Sequence, residues 1–150
     1  MEEGLNSELT SDNYIEERVN RQIEWYDSKS KEAKKRYKIF TYVILISSAF
    51  IPLLTNLAIE QFGIKLIVSF LGVFTTLSQG IINLNDYNEN WIEYRTVCET
   101  LKKEKYMFLA KSGVYNDTEN PYKYFVERIE SIISQENVNW ANIKKEDKER

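Results

Sequence analysis

Two long apolar runs set the strongest constraint on how this chain can fold. They cover residues 39–59 and 64–84, are 21 residues long each, and flank a four-residue break. A helix rises about 1.5 Å per residue, so each run extends about 30 Å, the thickness of a bilayer's hydrocarbon core. The first run has no charged residue, and the second has only Lys65, next to its start, where a long side chain reaches the interface. The runs predict a transmembrane helical hairpin; a buried hairpin in a soluble helical bundle is the alternative.

The charged residues lie in two arms outside these runs. Between residues 39 and 84 the only charges are Glu60 and Lys65. We therefore expect a single unit, an all-α membrane protein whose transmembrane hairpin extends into a cytosolic antiparallel helical stalk, plus a short C-terminal amphipathic helix. The predicted parts are a disordered tail at 1–11, a cytosolic helix at 12–38, the first span at 39–59, an outer loop at 60–63, the second span at 64–84, a cytosolic helix at 85–112, a C-terminal helix at 120–135 and a polar tail at 141–150.

A basic cluster precedes the first span and predicts its orientation. Basic residues beside a span are retained in the cytoplasm, and the loop at 60–63 has no such excess, so both termini should be cytoplasmic. We expect no signal peptide, because a charged segment precedes the first apolar run. The cluster either sets topology alone or also binds anionic lipid headgroups. Its members are Lys29, Lys31, Lys34, Lys35, Arg36 and Lys38.

Small and polar residues recur along the second span at steps of three and four, which places them on one helical face. Such a face must meet protein or water rather than lipid. One interpretation is close helix packing, with Gly72 permitting approach and Gln79 bonding across the interface. The other is the wall of a pore, which requires several copies around an axis. The residues are Ser69, Gly72, Thr76, Gln79 and Asn83, and the same step continues to Asp86.

Acidic residues follow the second span at the predicted cytoplasmic side. In a pore, Asp86, Glu89 and Glu93 would form acidic rings, which favour cations. The alternative is that Asp86 pairs with Lys35 or Lys38. In the first span Pro52 removes a backbone donor and predicts a kink, either static or a gating hinge.

The arms carry apolar stripes that need partner helices. Asp12 and Asn13 are expected to cap the first helix, Gly113 to end the helix after the second span, and Asn120 with Pro121 to start the last one. The stripes comprise Ile15, Val19, Ile23 and Tyr26 before the hairpin, then Trp91, Tyr94, Cys98, Leu101, Lys105 and Phe108 in a heptad-like series typical of a coiled coil, and finally Tyr122, Phe125, Val126, Ile129, Ile132 and Ile133.

The sequence argues against several functional classes. It has no histidine, no P-loop and no nucleophile elbow, so we expect no enzyme, no cofactor and no metal site. The net charge of -3 argues against nucleic-acid binding. The single Cys98 excludes an intramolecular disulfide.

Three segments resemble SLATT-type proteins: RQIEWYDSKSKEAKKRYK, YRTVCETLKKEKYMFLAKSGVY and ISQENVNW. These are bacterial two-transmembrane proteins, often linked to nucleotide-signalled conflict systems and regarded as candidate pore-forming effectors. The resemblance covers about residues 12–140 and implies a bacterial inner-membrane location. It would place Arg95, Glu99, Leu101, Lys102, Glu104 and Phe108 in a signature helix, and Gln135, Glu136, Asn137 and Trp140 in a terminal signature.

Two functions remain open from the sequence. One is a homo-oligomeric, ion-conducting pore or membrane-perturbing effector, whose partners are the bilayer, further copies of the chain and ions. The other is a non-conducting membrane anchor or scaffold, whose cytosolic helices bind a partner protein.

Overall fold

A computed structural model shows only helices and their connections over the residues that it describes. These are 11–57 and 61–149 for the backbone, with side chains described as far as residue 135. Predictions for residues 1–10, for Glu60 and for the side chains of 136–150 lie outside this part. The helices are α1 (Arg21–Leu57), α2 (Phe62–Asn85), α3 (Tyr87–Leu109) and α4 (Pro121–Glu149), with a π-helical segment at Ile15–Asn20 and a 3-10 turn at Gly113–Tyr115.

The helices are distributed over two compact units. The core unit comprises Met1–Ser28 and Glu93–Arg150, and the hairpin unit comprises Lys29–Ile92. Both α1 and α3 contribute to each unit.

In the hairpin unit, α1 and α2 are long and apolar enough to cross a membrane, and only 6% of the most apolar window of each is buried. The core helix of a soluble protein would be mostly buried, so this exposure argues against the soluble-bundle alternative. Large apolar side chains point outward instead: Leu45 is 63% exposed and Phe70 is 62% exposed. The buried positions are small, namely Ser30, Ala33, Ser47 and Ser78. The proline at position 52 lies inside α1, which continues to Leu57.

The core unit has the opposite organisation. Its buried cluster joins the segment before α1, the start of α1, the second half of α3, the 3-10 turn and α4. The predicted apolar stripes form this cluster, since Val19, Leu101 and Phe125 are fully buried. Phe108 stacks on Phe125 with 4.4 Å between ring centroids. The remaining buried members are Ile15, Ile23, Tyr26, Cys98, Tyr115, Ile129 and Ile133.

The helix ends confirm one predicted cap and correct two others. Asn120 Oδ1 accepts a hydrogen bond from the Lys123 amide at 3.0 Å, as an N-cap does at the start of α4. Asp12 and Asn13, however, already lie within a helical segment, so the prediction that they cap it is wrong. At the end of α3 the left-handed residue is Lys111, with φ 48°, where the sequence predicted Gly113.

The connection after α3 is a Schellman motif centred on Lys111. The Lys111 amide donates to the Phe108 carbonyl at 3.0 Å, and the Ser112 amide donates to the Met107 carbonyl at 3.0 Å. Gly113 serves a different purpose. It has φ +61°, and a Cβ there would lie 2.7 Å from Met107 Cε. Only glycine fits this position without strain.

A second left-handed residue separates α2 from α3. Asp86 has φ 46°, so α2 and α3 do not form one continuous helix. The Asn90 amide donates to the Asp86 carbonyl at 2.9 Å, and Asn90 Nδ2 donates to the Asn85 carbonyl at 2.8 Å. These bonds satisfy two carbonyls at the break.

Candidate helix-interface and pore surface

The predicted polar face of α2 is exposed along its length. Ser69, Thr76, Gln79 and Asn83 are all exposed, and Gly72 is half-buried. We call these five residues the polar stripe. The structure therefore brings them together on one face, as the spacing predicted, and α1 does not cover them.

The polar groups of the stripe bond within their own helix. Gln79 Nε2 donates to Asn83 Oδ1 at 2.9 Å. The Ser69 hydroxyl donates to the Lys65 carbonyl at 2.9 Å, and the Thr76 hydroxyl donates to the Gly72 carbonyl at 3.1 Å. Among the described residues, no bond from Gln79 to another helix accompanies this intrahelical one. Local bonds reduce the cost of placing these groups in an apolar medium but leave acceptor and donor positions open.

A different face of α2 is turned inward. Ser78 is buried on α2 and Ser47 is buried on α1. Small residues allow two helix backbones to approach closely. Gly72 has no such role within one hairpin, because a Cβ at this position would meet nothing within 4 Å.

The third face of α2 is large, apolar and exposed. Its members are Phe70 at 62% exposure, Phe74, Leu77, Ile81 and Leu84. We call them the apolar face. Each residue turns a helix by about 100°, so Gln79 and Leu77 lie on nearly opposite sides of α2. The helix thus presents one exposed surface suited to lipid and another that is not.

The candidate acidic ring is divided between the two units. Asp86 and Glu89 belong to the hairpin unit, whereas Glu93 belongs to the core unit. Asp86 is half-buried and Glu89 is exposed. Among the described residues, Asp86 forms no ion pair with Lys35 or Lys38, so the structure does not contain the pair that the sequence suggested as an alternative.

Part of the basic cluster contacts aromatic residues at the start of α3. The Lys34 ammonium lies 4.6 Å from the centroid of the Trp91 ring. Arg36 Nη2 contacts Glu32 Oε1 at 2.7 Å, and Arg36 Nη1 donates to the Tyr87 hydroxyl at 3.5 Å. The hydrogen bond that Arg36 donates to the Tyr87 hydroxyl and the charge of Glu32 raise the pKa of Arg36, which stays cationic in any case.

The core unit contains a buried charged site that sequence reasoning missed. Glu104 is 4% exposed. It accepts hydrogen bonds from Tyr115 Oη and from Arg128 Nη2, each at 2.6 Å. Burial alone would raise the pKa of the Glu104 carboxyl, but these two donors hold the pKa below its usual value. The position was detectable, because Glu104 falls three residues after Leu101 and four before Phe108 on the apolar stripe.

A second, more exposed pair joins the segment before α1 to α4. Arg18 binds Glu130 through two hydrogen bonds, of 3.0 and 2.9 Å, and the Tyr14 hydroxyl donates to Glu130 Oε1 at 2.9 Å. The bonds from Arg18 lower the pKa of the Glu130 carboxyl, against a smaller opposing effect of burial. This carboxylate orients two side chains and binds no further group among the described residues.

The signature-helix residues from the resemblance lie partly in the core unit's interior and partly in ion pairs at its surface. Leu101 and Glu104 are buried, and Phe108 packs against the core cluster. Arg95 contacts both Glu99 at 2.8 Å and Asp27 at 3.2 Å. Glu99 pairs with Lys102 at 3.2 Å. Of the terminal signature, only Gln135 has a described side chain, and it is exposed.

The described residues contain no group of three or more histidine, cysteine, aspartate or glutamate side chains placed to hold a metal ion. Cys98 is free and fully buried, and its thiol donates to the Ile23 carbonyl at 3.6 Å. Burial raises the pKa of this thiol. A protonated, enclosed thiol is a poor nucleophile.

Comparison with models of protein families identifies the family of this chain. A family model described as "Protein of unknown function (DUF4231)" matches residues 21–123, which include both long apolar helices and the signature helix. No curated protein and no solved structure matches the chain.

Proposed function

Because the chain belongs to the DUF4231 family, whose description states no activity, we propose a function from the surface of α2. The protein is an integral membrane protein of the bacterial inner membrane. Its hairpin crosses the bilayer, both termini are cytoplasmic, and several copies assemble into an ion-conducting pore. The single observation that carries this proposal is the exposed polar stripe on a helix that is otherwise apolar.

The argument for assembly rests on what α1 leaves uncovered. Among the described residues, the Gln79 side chain bonds to that of Asn83 on the same helix, and a Cβ added at Gly72 would meet nothing within 4 Å. Gln79 lies six residues before the end of α2, which corresponds to about 9 Å along the helix. An amide at that depth needs protein or water, since lipid offers no hydrogen-bonding partner. A second copy of the chain would supply protein partners, and an axis between copies would supply water.

The resemblance to SLATT-type proteins supports the same proposal. The matched residues 21–123 contain the segment that carries the signature-helix resemblance. SLATT-type proteins are regarded as candidate pore-forming effectors, and by this resemblance the pore would act in a nucleotide-signalled conflict system. The cytosolic core unit would then receive the signal.

The second candidate is a non-conducting anchor that binds a cytosolic protein. It is favoured by the intrahelical bonds of Ser69, Thr76 and Gln79, which let the stripe exist without an aqueous partner. In this case the stripe packs copies together or stays at a lipid boundary, and no ion passes.

Ion flux through purified protein in liposomes separates the two candidates. The parent chain should conduct, and Gln79→Leu and Thr76→Leu should each change the conductance or its ion preference. Phe74→Leu on the apolar face is the matched control and should leave both unchanged. If the parent chain is monomeric in detergent and in lipid, or if Gln79→Leu conducts as the parent does, the pore wall is wrong.

A further inference from the structure

The basic cluster separates into two groups with different surroundings. Lys34 and Arg36 are held by Trp91, Tyr87 and Glu32, as described above. Glu32 also contacts Lys29 at 3.7 Å. The Glu32 carboxylate is thus already paired with Arg36 and Lys29.

Lys35 and Lys38 belong to the second group. Both are exposed, and neither has an ion-pair partner among the described residues. They are three residues apart, so their side chains are neighbours on one helix face, with Cβ atoms roughly 5–6 Å apart. Two flexible ammonium groups at this spacing can contact the same phosphate group.

The same face continues toward the first span in a fixed order of chemistry. Tyr42 follows Lys38 by four residues and is 56% exposed, and Leu45 follows Tyr42 by three and is 63% exposed. The line passes from ammonium groups to a phenol to an aliphatic side chain. The layers of a bilayer, from headgroup through interface to hydrocarbon, follow the same order. Tyrosine is enriched at the interface layer. Lys35 lies seven positions before Tyr42, which places the Lys35 backbone about 10 Å further from the hydrocarbon by helix rise.

We propose that Lys35, Lys38 and Tyr42 form a binding site for the phosphodiester group of an anionic phospholipid. The two ammonium groups neutralise the phosphate, and the Tyr42 hydroxyl donates a hydrogen bond to a phosphate or glycerol oxygen. The acyl chains lie along Leu45 and the exposed apolar residues beyond it. The site rests on the part of the proposed function that places the hairpin in a bilayer, and it does not require a pore.

Native mass spectrometry of the detergent-solubilised full chain, titrated with phosphatidylglycerol or phosphatidylcholine, tests the site. Each basic residue near a membrane surface contributes about 1 kcal/mol, so Lys35→Gln with Lys38→Gln should weaken phosphatidylglycerol binding roughly 25-fold. Phosphatidylcholine binding should not change. Tyr42→Phe should weaken phosphatidylglycerol binding several-fold, by the loss of one hydrogen bond.

The control variant is Lys103→Gln with Lys111→Gln, which removes the same charge from exposed positions of the core unit. It should bind phosphatidylglycerol as the parent does. Equal binding by the Lys35/Lys38 variant and the parent would overturn the site, and equal weakening in both double variants would show attraction by net charge alone. Carbonate extraction of membranes checks insertion separately: a chain that inserts but binds no phosphatidylglycerol contradicts only this site, whereas a chain that does not insert contradicts the proposed function as well.

Discussion

The core unit and the hairpin unit bury opposite kinds of side chain. In the core unit the buried residues are large and apolar, such as Leu101 and Phe125, and the charged residues are mostly outside. In the hairpin unit the buried residues are small, such as Ser47 and Ser78, while Leu45 and Phe70 point outward. Both are built from helices, and α1 and α3 contribute to each of them. Two solvents would produce this difference: water favours the burial of large apolar side chains, whereas an apolar medium lets them point outward.

The same contrast distinguishes two exposed surfaces of the hairpin, the apolar face and the polar stripe of α2. The apolar face of α2 matches lipid without further partners. The polar stripe matches neither lipid nor α1, so under the proposed pore its surroundings come from another copy of the chain or from water.

The largest predicted effect comes from replacing phenylalanine with alanine once in each unit and comparing the loss of stability. Phe125→Ala removes a fully buried ring and should lower the free energy of unfolding of the core unit by about 3–5 kcal/mol. Phe74→Ala removes a ring that is 56% exposed and should cost about 0.5 kcal/mol. Hydrogen exchange of the full chain in detergent micelles, resolved by peptide, measures both. A loss above about 2 kcal/mol for Phe74→Ala would place the apolar face in an interface.

The next effect compares two carboxylates within the core unit. Glu104→Ala leaves Arg128 and Tyr115 without their acceptor and should cost about 3 kcal/mol, at the lower end for a buried pair because Arg128 is partly exposed. Glu130→Ala removes a pair whose side chains are 42% and 44% exposed, and should cost about 1 kcal/mol or less. The same exchange experiment reads both. If Glu130→Ala proved the more damaging, burial would not be what makes Glu104 important.

The two carboxylates also predict how the core unit responds to acid. Both have pKa values below the ordinary 4.5 in the folded chain, so the unfolded chain binds protons first as pH falls. Their contribution is complete above about pH 4.5 and is lost as pH falls through the folded values. Unfolding by urea between pH 7 and pH 3 should show this loss, and Glu104→Gln should make the dependence shallower. An unchanged slope would contradict the assignment.

The smallest effects concern the turn after α3, where two neighbouring positions should respond in opposite directions. Lys111→Gly relieves a left-handed residue and should stabilise the core unit by about 0.5–1 kcal/mol. Gly113→Ala adds a Cβ 2.7 Å from Met107 Cε at φ +61° and should destabilise it by at least about 1 kcal/mol. Thermal unfolding of both variants measures the pair. Stabilisation by Gly113→Ala would contradict the turn geometry.

Hydrophobic periodicity predicted most of the fold because it is a local signal. It identified the stripes through Val19, Leu101 and Phe125, and it grouped the polar stripe of α2 on one face. It could not predict that Gln79 would bond to Asn83 along the helix, because the spacing permits bonds along and across helices equally. The burial of Glu104 was not predicted, because a single charged residue on an apolar stripe is usually exposed to solvent. Its donors, Tyr115 and Arg128, lie 11 and 24 residues further along the chain. At the end of α3, glycine preference pointed to Gly113, yet the left-handed cap is Lys111.

The most direct test of the central claim asks what the polar stripe faces. In a Cys98→Ala background, single cysteines at Gln79 and at Leu77 probe nearly opposite sides of α2 in liposomes. We predict that oxidation links Gln79→Cys between copies, while Leu77→Cys stays unlinked because its side of the helix faces lipid. Efficient linking through Leu77→Cys, with none through Gln79→Cys, would contradict the account.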